Sequence, residues 1–195
     1  MHKKISPKIA IFGASGFSRE AADICIEMGY KEIVFIDIQP KESECFGFPL
    51  VSEEYIEELK NESYYFVIGI GDNQLRKKIF GRNTGLIYPN IIHPSATMGY
   101  QQLKLLKKKR GNIITAGVRL TNNITMGDFG IFNLNCTVGH DCILDDFINI
   151  APGVTISGNV HLKEGSFIGT NAAIIQGKSI ERKLVIGEFS IIGAG

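Results

Sequence analysis

An unbroken six-residue repeat of apolar side chains constrains the second half of this chain more than any other feature. At 44% hydrophobic composition, fourteen apolar residues in one phase have a chance probability on the order of 10⁻⁵. They are Ile114, Leu120, Met126, Phe132, Val138, Leu144, Ile150, Ile156, Leu162, Ile168, Ile174, Ile180, Ile186 and Ile192. A period of six matches neither a helix face nor strand alternation. It is typical of hexapeptide repeats, whose short parallel strands stack into a β-helix.

The repeat also predicts which residues lie above one another in the coil. Three six-residue sides make a turn of eighteen, so residue i stacks on residue i+18, one strand spacing of about 4.8 Å away. Related phrases begin at Met126, Leu144 and Leu162, eighteen residues apart, whereas the next begins at Ile186, 24 residues further on. We therefore expect one extra side, ERKLVI, inserted as an altered corner or short loop. All fourteen apolar residues should point inward, and the small residues that follow them, such as Gly127, should occupy corners with unusual φ values.

The first half alternates strand and helix patterns. Strands are predicted at 8–12, 33–36, 64–70 and 86–92, with helices at 18–28, at 52–59 and after Gly71. This order predicts a parallel sheet with helices packed on it, a Rossmann-like α/β domain. His93-Pro94 closes it, which gives domains of 1–92 and 93–195. Residues 93–112 lack the six-residue phase, so we expect an irregular first coil with an insertion. Its basic run at 104–110 is interpreted as a solvated loop or short helix.

Composition and charge exclude several classes of function. Lysine and arginine total 21 against 20 acidic residues, and this net charge of +1 argues against a nucleic-acid partner. No stretch of eighteen apolar residues predicts a membrane span, and the N-terminus lacks the apolar core of a signal peptide. The cysteines show no CxxC pairing, which favours reduced thiols and a cytoplasmic location. The histidines are not spaced as ligands, so no metal is expected.

His140 is the candidate catalytic residue. It follows the inward Val138 by two positions and immediately precedes Asp141, in the phrase VGHDC. An exposed histidine beside a carboxylate is suited to act as a general base, although a surface histidine at a turn is the alternative. Stacking places Gly158 directly above His140, which we interpret as a gap along which a thin ligand can lie. Asn133 is expected near the same corner, whereas His93 and His161 are interpreted as surface residues.

The turn Gly13-Ala14-Ser15-Gly16 is the candidate nucleotide site. It follows a strand and precedes a helix, where backbone N–H groups suit a phosphate or pyrophosphate. Asp37 ends the second strand about twenty residues later, where an acid can bind a ribose or a base edge. The turn lacks the full GxGxxG pattern, so a purely structural turn is the alternative.

With these motifs in view, the chain resembles the bacterial nucleotide-aminosugar N-acetyltransferases and the related sialic acid O-acetyltransferases of the left-handed β-helix superfamily. The phrases that carry the resemblance are IAIFGASGF, VIGIGDNQLRKKIF, IIHPSA, FNLNCTVGHDC, DDFINIAPG and FIGTNAAIIQGKSI. It implies acetyl-CoA as co-substrate and a homotrimer with active sites between neighbouring coils. It also implies site roles: His140 as general base with Asp141 as its companion; Gly13, Ser15, Gly16, Phe17, Asp37, Gly71 and Asn133 in substrate binding; and Asn149, Gly158 and Thr170 in coenzyme binding.

The chain departs from the family pattern at three points. Phe17 stands where many relatives have histidine after the glycine turn, and Asn149 stands where a second histidine is frequent. Relatives usually continue beyond IIGAG, so the sequence ending at Gly195 predicts an incomplete adenine end of the coenzyme site. Apolar residues expected on outward coil faces, including Phe129, Phe147 and Phe167, favour the trimer.

The sequence thus predicts acetylation of the amino group of a nucleotide-linked 4-amino-deoxysugar, for bacterial surface glycan or glycoprotein synthesis. The alternatives are O-acetylation of a sialic-acid-like sugar and a non-catalytic nucleotide-sugar-binding scaffold. Neither the nucleotide nor the sugar follows from the sequence.

Overall fold

A computed structural model describes residues 7–195 of the chain, and the predictions made for the extreme N-terminus lie outside the described residues. The first half is a five-stranded sheet of order β3-β4-β2-β1-β5 with helices packed against it. Its strands are β1 (Lys8–Phe12), β2 (Glu32–Asp37), β3 (Glu44–Cys45), β4 (Phe48–Ser52) and β5 (Tyr65–Ile68). Its helices are α1 (Gly16–Glu27), a 3₁₀ turn (Glu53–Tyr55), α2 (Ile56–Asn61) and α3 (Asn73–Arg82). All pairings are parallel except that of β3 with β4, which confirms the Rossmann-like class.

The prediction of a strand at 86–92 is wrong. Leu86 and Tyr88 are buried in the core of the first half, but they form no strand. Pro89, which removes a backbone donor, interrupts the apolar run. The remaining two residues form β6 (Ile91–Ile92), which pairs with the coil and is its first strand. The short hairpin of β3 and β4 was not predicted.

The second half is a three-sided parallel β-helix. Face 1 contains β6, β8 (Ile113–Ile114), β11 (Ile131–Phe132), β14 (Asn149–Ile150), β17 (Phe167–Ile168) and β20 (Ile191–Ile192). Face 2 contains β7 (Thr97–Met98), β9 (Arg119–Leu120), β12 (Thr137–Val138), β15 (Thr155–Ile156) and β18 (Ala173–Ile174). Face 3 contains β10 (Thr125–Met126), β13 (Ile143–Leu144), β16 (Val160–Leu162) and β19 (Leu184–Ile186). The chain visits the faces in that order on each turn.

Strand pairing confirms the predicted register. Leu144 pairs with Leu162 at the eighteen-residue offset, and Leu162 pairs with Ile186 at the offset of 24. The aliphatic series forms the coil interior, with one exception: Ile180 lies in the inserted segment and is 57% exposed. The prediction that every member of the series points inward is therefore wrong at Ile180, because residues 175–183 form a loop between β18 and β19. The expected position of the extra side, ERKLVI, is wrong as well, since its last three residues form β19.

The unusual φ values at the corners lie at a different position of the six-residue repeat from the predicted one. Left-handed φ recurs three residues after the inward aliphatic residue instead of one, at Asn123, Phe129, Asn135, Asp141, Phe147, Asn159, Asn171 and Phe189. The glycines at the predicted position have another role: a Cβ on Gly127 would lie 2.6 Å from the backbone of the next turn. Close stacking of turns, rather than an unusual φ, requires glycine there.

The first turn is irregular, as the sequence predicts. Helix α4 (Gln102–Leu106) replaces the strand of face 3, and Met98 pairs with Leu120 at an offset of 22. Leu106 is fully buried in the coil. The Gln102 side chain accepts a hydrogen bond from the backbone N–H of Ile124 and donates one to its C=O. The beginning of the basic run is therefore a short helix that closes the end of the coil.

The first half packs on face 1 and on the corner between faces 3 and 1. Ile113 and Ile131 join the apolar cluster formed by β1 and α1. At the corner, the Phe129 and Phe147 rings stack with centroids 5.2 Å apart and pack against Phe80. The prediction that Phe129 and Phe147 are outward residues available to a trimer is therefore wrong, because the first half of the same chain covers them.

Arg76 joins the two halves and is completely buried. Its Nε and Nη2 atoms donate to the carbonyls of Phe129 and Phe147, 3.0 and 2.9 Å away, on two successive turns of the coil. Its Nη1 atom donates to the Ile70 carbonyl in its own half. Burial lowers the pKa of Arg76 to about 9, and the Asp72 carboxylate opposes this. Across residues 7–195, no helix has the length and apolar character needed to cross a membrane.

Candidate active site

His140 lies at the corner between faces 2 and 3, after β12 and before β13. Its side chain is 53% exposed, and its Nδ1 atom lies 2.6 Å from Oδ2 of Asp141. A carboxylate on Nδ1 holds that nitrogen as a donor and leaves Nε2 as the nitrogen that accepts a proton. The exposed pair predicted from VGHDC is therefore formed.

Two contacts hold Asp141 in place. Its φ of +60° belongs to the left-handed column of this corner, which also contains Asn123 and Asn159. The Asn123 amide donates to Asp141 Oδ1 at 2.6 Å. This hydrogen bond and the one from His140 lower the pKa of Asp141, so the carboxylate is charged at neutral pH.

Gly158 lies directly above His140, as the register predicts, but the expected open channel is not there. A Cβ added to Gly158 would be 2.7 Å from Cε1 and 2.8 Å from Nε2 of the His140 ring. The imidazole itself thus fills the space above the glycine. The interpretation of Gly158 as a gap for a ligand is wrong, because the ring folds along the coil axis rather than pointing away from it.

Asn133 and Thr170 do not lie at the corner of His140. Both follow strands of face 1, so they occupy the corner between faces 1 and 2. The Asn133 Oδ1 atom accepts from the backbone N–H of Leu134 at 2.8 Å. The expectation that Asn133 lies near His140 in the same chain is therefore wrong, since the whole width of face 2 separates them.

Asn149 and Gly71 contact each other at the junction of the two halves. Asn149 is buried on face 1, and its Nδ2 atom donates to the Gly71 carbonyl at 2.9 Å. A nearby cavity of about 360 Å³ is lined by Gly71, Phe167 and Ile191. Asn149, predicted as a coenzyme ligand, thus uses its amide to join the two halves.

The glycine turn lies at the carboxyl ends of β1 and β2. Gly13 has a φ of +99° and donates its N–H to Ile36. Ser15 is the N-cap of α1, Gly16 is the first residue of that helix, and both are exposed. Phe17 is partly buried and packs against the apolar cluster of β1 and α1.

A cleft of about 450 Å³ lies beside this turn. Asp37 lines it together with Arg19, Lys41 and the exposed Phe46 of the β3–β4 turn. The two cations suit a phosphate, and the location at the carboxyl ends of parallel strands suits a nucleotide. Sequence reasoning found Asp37 but missed both cations, because neither belongs to a fixed motif.

A second histidine–carboxylate pair lies on face 3. His161 Nε2 is 3.0 Å from Oδ1 of Asp145, and the His161 side chain is only 17% exposed. His161 thus lies on the outer side of face 3, as interpreted, but it is partly buried and paired. Among residues 7–195, no group of three or more histidine, cysteine or acidic side chains is arranged to hold a metal ion.

Comparisons with known proteins agree with this arrangement. Residues 8–82 match the PglD N-terminal domain family. GDP-perosamine N-acetyltransferase from Escherichia coli O157:H7 is 28% identical over 185 residues, which cover 91% of this chain and 81% of that protein.

Solved structures match nearly the whole chain. WeeI from Acinetobacter baumannii AYE superposes with a TM-score of 0.84 at 25% identity, covering 97% of this chain and 90% of that one. The acetyltransferase domain of PglB from Neisseria gonorrhoeae FA1090, in complex with acetyl coenzyme A, gives 0.83 at 29% identity, with 97% and 89% covered. A histidine-to-asparagine variant of perosamine N-acetyltransferase from Caulobacter crescentus, in complex with CoA and GDP-perosamine, gives 0.83 at 26% identity, with 96% and 86% covered.

A Rossmann-like half joined to a left-handed hexapeptide coil with an exposed His–Asp pair defines a hexapeptide-repeat acyltransferase. Within this class, the chain is similar over most of its length to N-acetyltransferases of GDP-perosamine.

Proposed function

We propose that the protein transfers the acetyl group of acetyl-CoA to the amino group of a nucleotide-linked 4-amino-deoxysugar. The observation that carries the proposal is the His140–Asp141 pair, half-exposed at a coil corner with Nε2 available to accept a proton. The relatives support this acceptor class and favour an amine over the hydroxyl of a sialic-acid-like sugar. The nucleotide-sugar is assigned to the Rossmann-like half and acyl transfer to the coil, whose first strand is β6.

The proposed chemistry is a direct attack on the thioester. The sugar amine attacks the acetyl carbonyl carbon, and His140 Nε2 takes the proton that the nitrogen loses as the new C–N bond forms. The C–S bond then breaks, and the proton held by His140 passes to the departing thiolate of CoA. Asp141 stabilises the imidazolium that exists between these two transfers. Such a base accelerates reactions by about 10²–10⁴-fold.

The geometry of one chain supports a site shared between copies. The nucleotide cleft belongs to the half that covers face 1, whereas His140 lies at the opposite corner, between faces 2 and 3. Asn133 and Thr170 lie at a third position, the corner between faces 1 and 2. A cyclic trimer brings different corners of neighbouring prisms together, so we propose that each site combines the nucleotide cleft, Asn133 and Thr170 of one copy with His140 of the next.

Gly13, Ser15, Gly16 and Asp37 are proposed to bind the nucleotide, with Arg19 and Lys41 beside the phosphates. Gly158 is proposed to border the thioester of acetyl-CoA, since it supports the ring that receives the proton. A cytoplasmic location remains a prediction.

The test is an assay of a panel of nucleotide aminosugars with acetyl-CoA, reading the release of free thiol. We expect thiol release with a 4-amino sugar and at least a hundredfold loss in His140→Ala. Isothermal titration should show that this variant still binds nucleotide. Release with hydroxyl acceptors alone would favour the O-acetyltransferase, and failure to bind CoA would favour the scaffold.

Sharing of the site is tested by mixing two inactive variants. His140→Ala lacks the base, and Gly13→Val lacks the nucleotide turn. If each site joins two copies, a trimer reassembled from equal amounts recovers about one quarter of the sites, because half of the clefts and half of the bases are intact. Light scattering should give three copies per particle. No recovery in trimers shown to be mixed would place the whole site in one chain.

A further inference from the structure

The extra coil side lies at the same corner as the proposed catalytic pair. Residues 175–183 connect β18 on face 2 to β19 on face 3, and this is the segment in which the offset between turns rises to 24. The Gly177 N–H donates to the Gly158 carbonyl at 3.0 Å, and the Leu184 N–H donates to the Asn159 carbonyl at 3.1 Å. The inserted segment is therefore anchored one turn above His140.

Lys183, the last residue of this segment, extends its side chain past that turn to the His140–Asp141 pair. Its side chain is half-buried, and its Nζ atom donates to the backbone carbonyl of Asp141. Lys183 ends the long connection of residues 175–183, where the turn below has only residues 157–159. The contact is thus a feature of this chain's longer turn.

Asp141 needs support at this carbonyl because of its backbone conformation. A φ of +60° is unfavourable for a residue with a side chain, because its Cβ crowds the following carbonyl oxygen. The Asn123 amide holds the carboxylate of Asp141, whereas the Lys183 ammonium holds the backbone carbonyl of Asp141. The Lys183 contact thus opposes a change in the backbone angles of Asp141, on which the direction of its Cα–Cβ bond and the pairing with His140 depend.

We propose that Lys183 is a positioning residue of the acetyl-transfer site, which holds Asp141 in the left-handed conformation that pairs its carboxylate with His140. The proposal rests on the proposed function of that pair. It assigns a role to the inserted side, which otherwise only lengthens the coil. Lys183 touches neither substrate in this role and acts only through Asp141.

Lys183 also adds a positive charge beside the pair. The charged and titratable groups that face Asp141 are His140 and Lys183, while Glu181 and Cys142 lie near Lys183. A cation disfavours the binding of a proton, so its removal makes the pair easier to protonate. The acid limb of the pH–rate profile should then move to higher pH, because the protonated pair cannot act as a base.

The experiment compares Lys183→Met, Lys183→Arg and the control Lys178→Met. Lys178 lies in the same segment, but it is exposed and has no side-chain hydrogen bond among residues 7–195. Lys183→Met should lower kcat about tenfold, leave both KM values within about twofold and raise the acid limb of kcat by about half a pH unit. Lys183→Arg, which keeps a charged donor, should restore most of kcat, and Lys178→Met should match the wild type.

A readout without turnover completes the test. The NMR titration of the Asp141 carboxyl carbon should show a higher pKa in Lys183→Met than in the wild type, at a temperature where circular dichroism shows both to be folded. An unchanged kcat profile and carboxyl titration would overturn the proposal, as would an equal loss in Lys178→Met. The pair's own role is checked by His140→Ala: full activity there would overturn the proposed function, whereas an inactive His140→Ala beside a normal Lys183→Met overturns only the positioning role.

Discussion

Glycine has two separate uses at the candidate sites, and only one of them depends on φ. Gly13 adopts a φ of +99°, and a Cβ there would lie 3.0 Å from Ile70. Gly16 has no positive φ, and a Cβ there would meet no atom within 4 Å. The backbone at Gly16 therefore accepts a side chain, and only an approach of the ligand can require glycine at that position.

Gly13→Ala should consequently lower the free energy of unfolding by about 1–2 kcal/mol, the cost of a left-handed conformation for an L-residue. Gly16→Ala should leave it unchanged or raise it slightly, because alanine suits the first turn of a helix. Urea unfolding curves of the two variants provide the measurement. Equal stabilities would show that the turn relaxes around Gly13.

Gly158→Ala should lower kcat by about tenfold or more without unfolding the coil. The added methyl must displace the His140 ring, since the built Cβ lies 2.7 Å from Cε1, and a displaced base loses part of its 10²–10⁴-fold contribution. The matched control is Gly193→Ala, another coil glycine, where a Cβ meets nothing within 4 Å. Normal kcat in Gly158→Ala, at an unchanged melting temperature, would contradict the stacking of the ring on the glycine.

At the scale of elements, helix α3 holds the first half against the coil through Arg76 and Asn73. The Asn73 amide donates to the Gly165 carbonyl at 2.8 Å, one turn beyond the Phe147 carbonyl that Arg76 binds. Together the two side chains bind three successive turns of the coil. They thereby fix the height of the nucleotide cleft along the coil axis.

Arg76→Met should lower the free energy of unfolding by about 3 kcal/mol, because buried carbonyls lose their donors. Lys77→Met, on the same helix, removes a half-exposed ion pair with Glu164 and a cation–π contact with Phe189, and it should cost at most about 1 kcal/mol. Chemical denaturation with matched m-values distinguishes the two results. Equal losses would mean that water replaces the Arg76 donors.

The coil was predictable from sequence, whereas the docking of the two halves was not. Each six-residue side repeats the same local requirement, so the period and the recurring phrases together give the register, including the offset of 24 before Ile186. By contrast, Ile131 and Phe129 read as ordinary outward residues until another part of the chain covers them. Arg76 reads as a solvated residue in the phrase NQLRKK. These contacts depend on pairing distant segments, for which a single sequence has no local signal.

At the scale of the whole molecule, the two halves share their apolar clusters. Phe129 and Phe147 of the coil belong to the same cluster as Phe12 and Phe66 of the sheet. We therefore expect one cooperative thermal transition for the wild type, followed by circular dichroism and calorimetry. Arg76→Met should broaden it or divide it in two. Two transitions in the wild type would show that the halves unfold independently.

The recurring backbone of the catalytic corner has a consequence for how such a protein can change. Residues 122–123, 140–141 and 158–159 have the same left-handed second residue and equivalent backbone hydrogen bonds, yet they read Asn-Asn, His-Asp and Gly-Asn. The proposed catalytic pair therefore occupies one turn of a corner whose neighbouring turns have the same backbone conformation. A few substitutions can move the His–Asp pair to a neighbouring turn, about 4.8 Å away along the coil axis. Evolution or a designer can thereby change the distance between the pair and the sugar without rebuilding the coil.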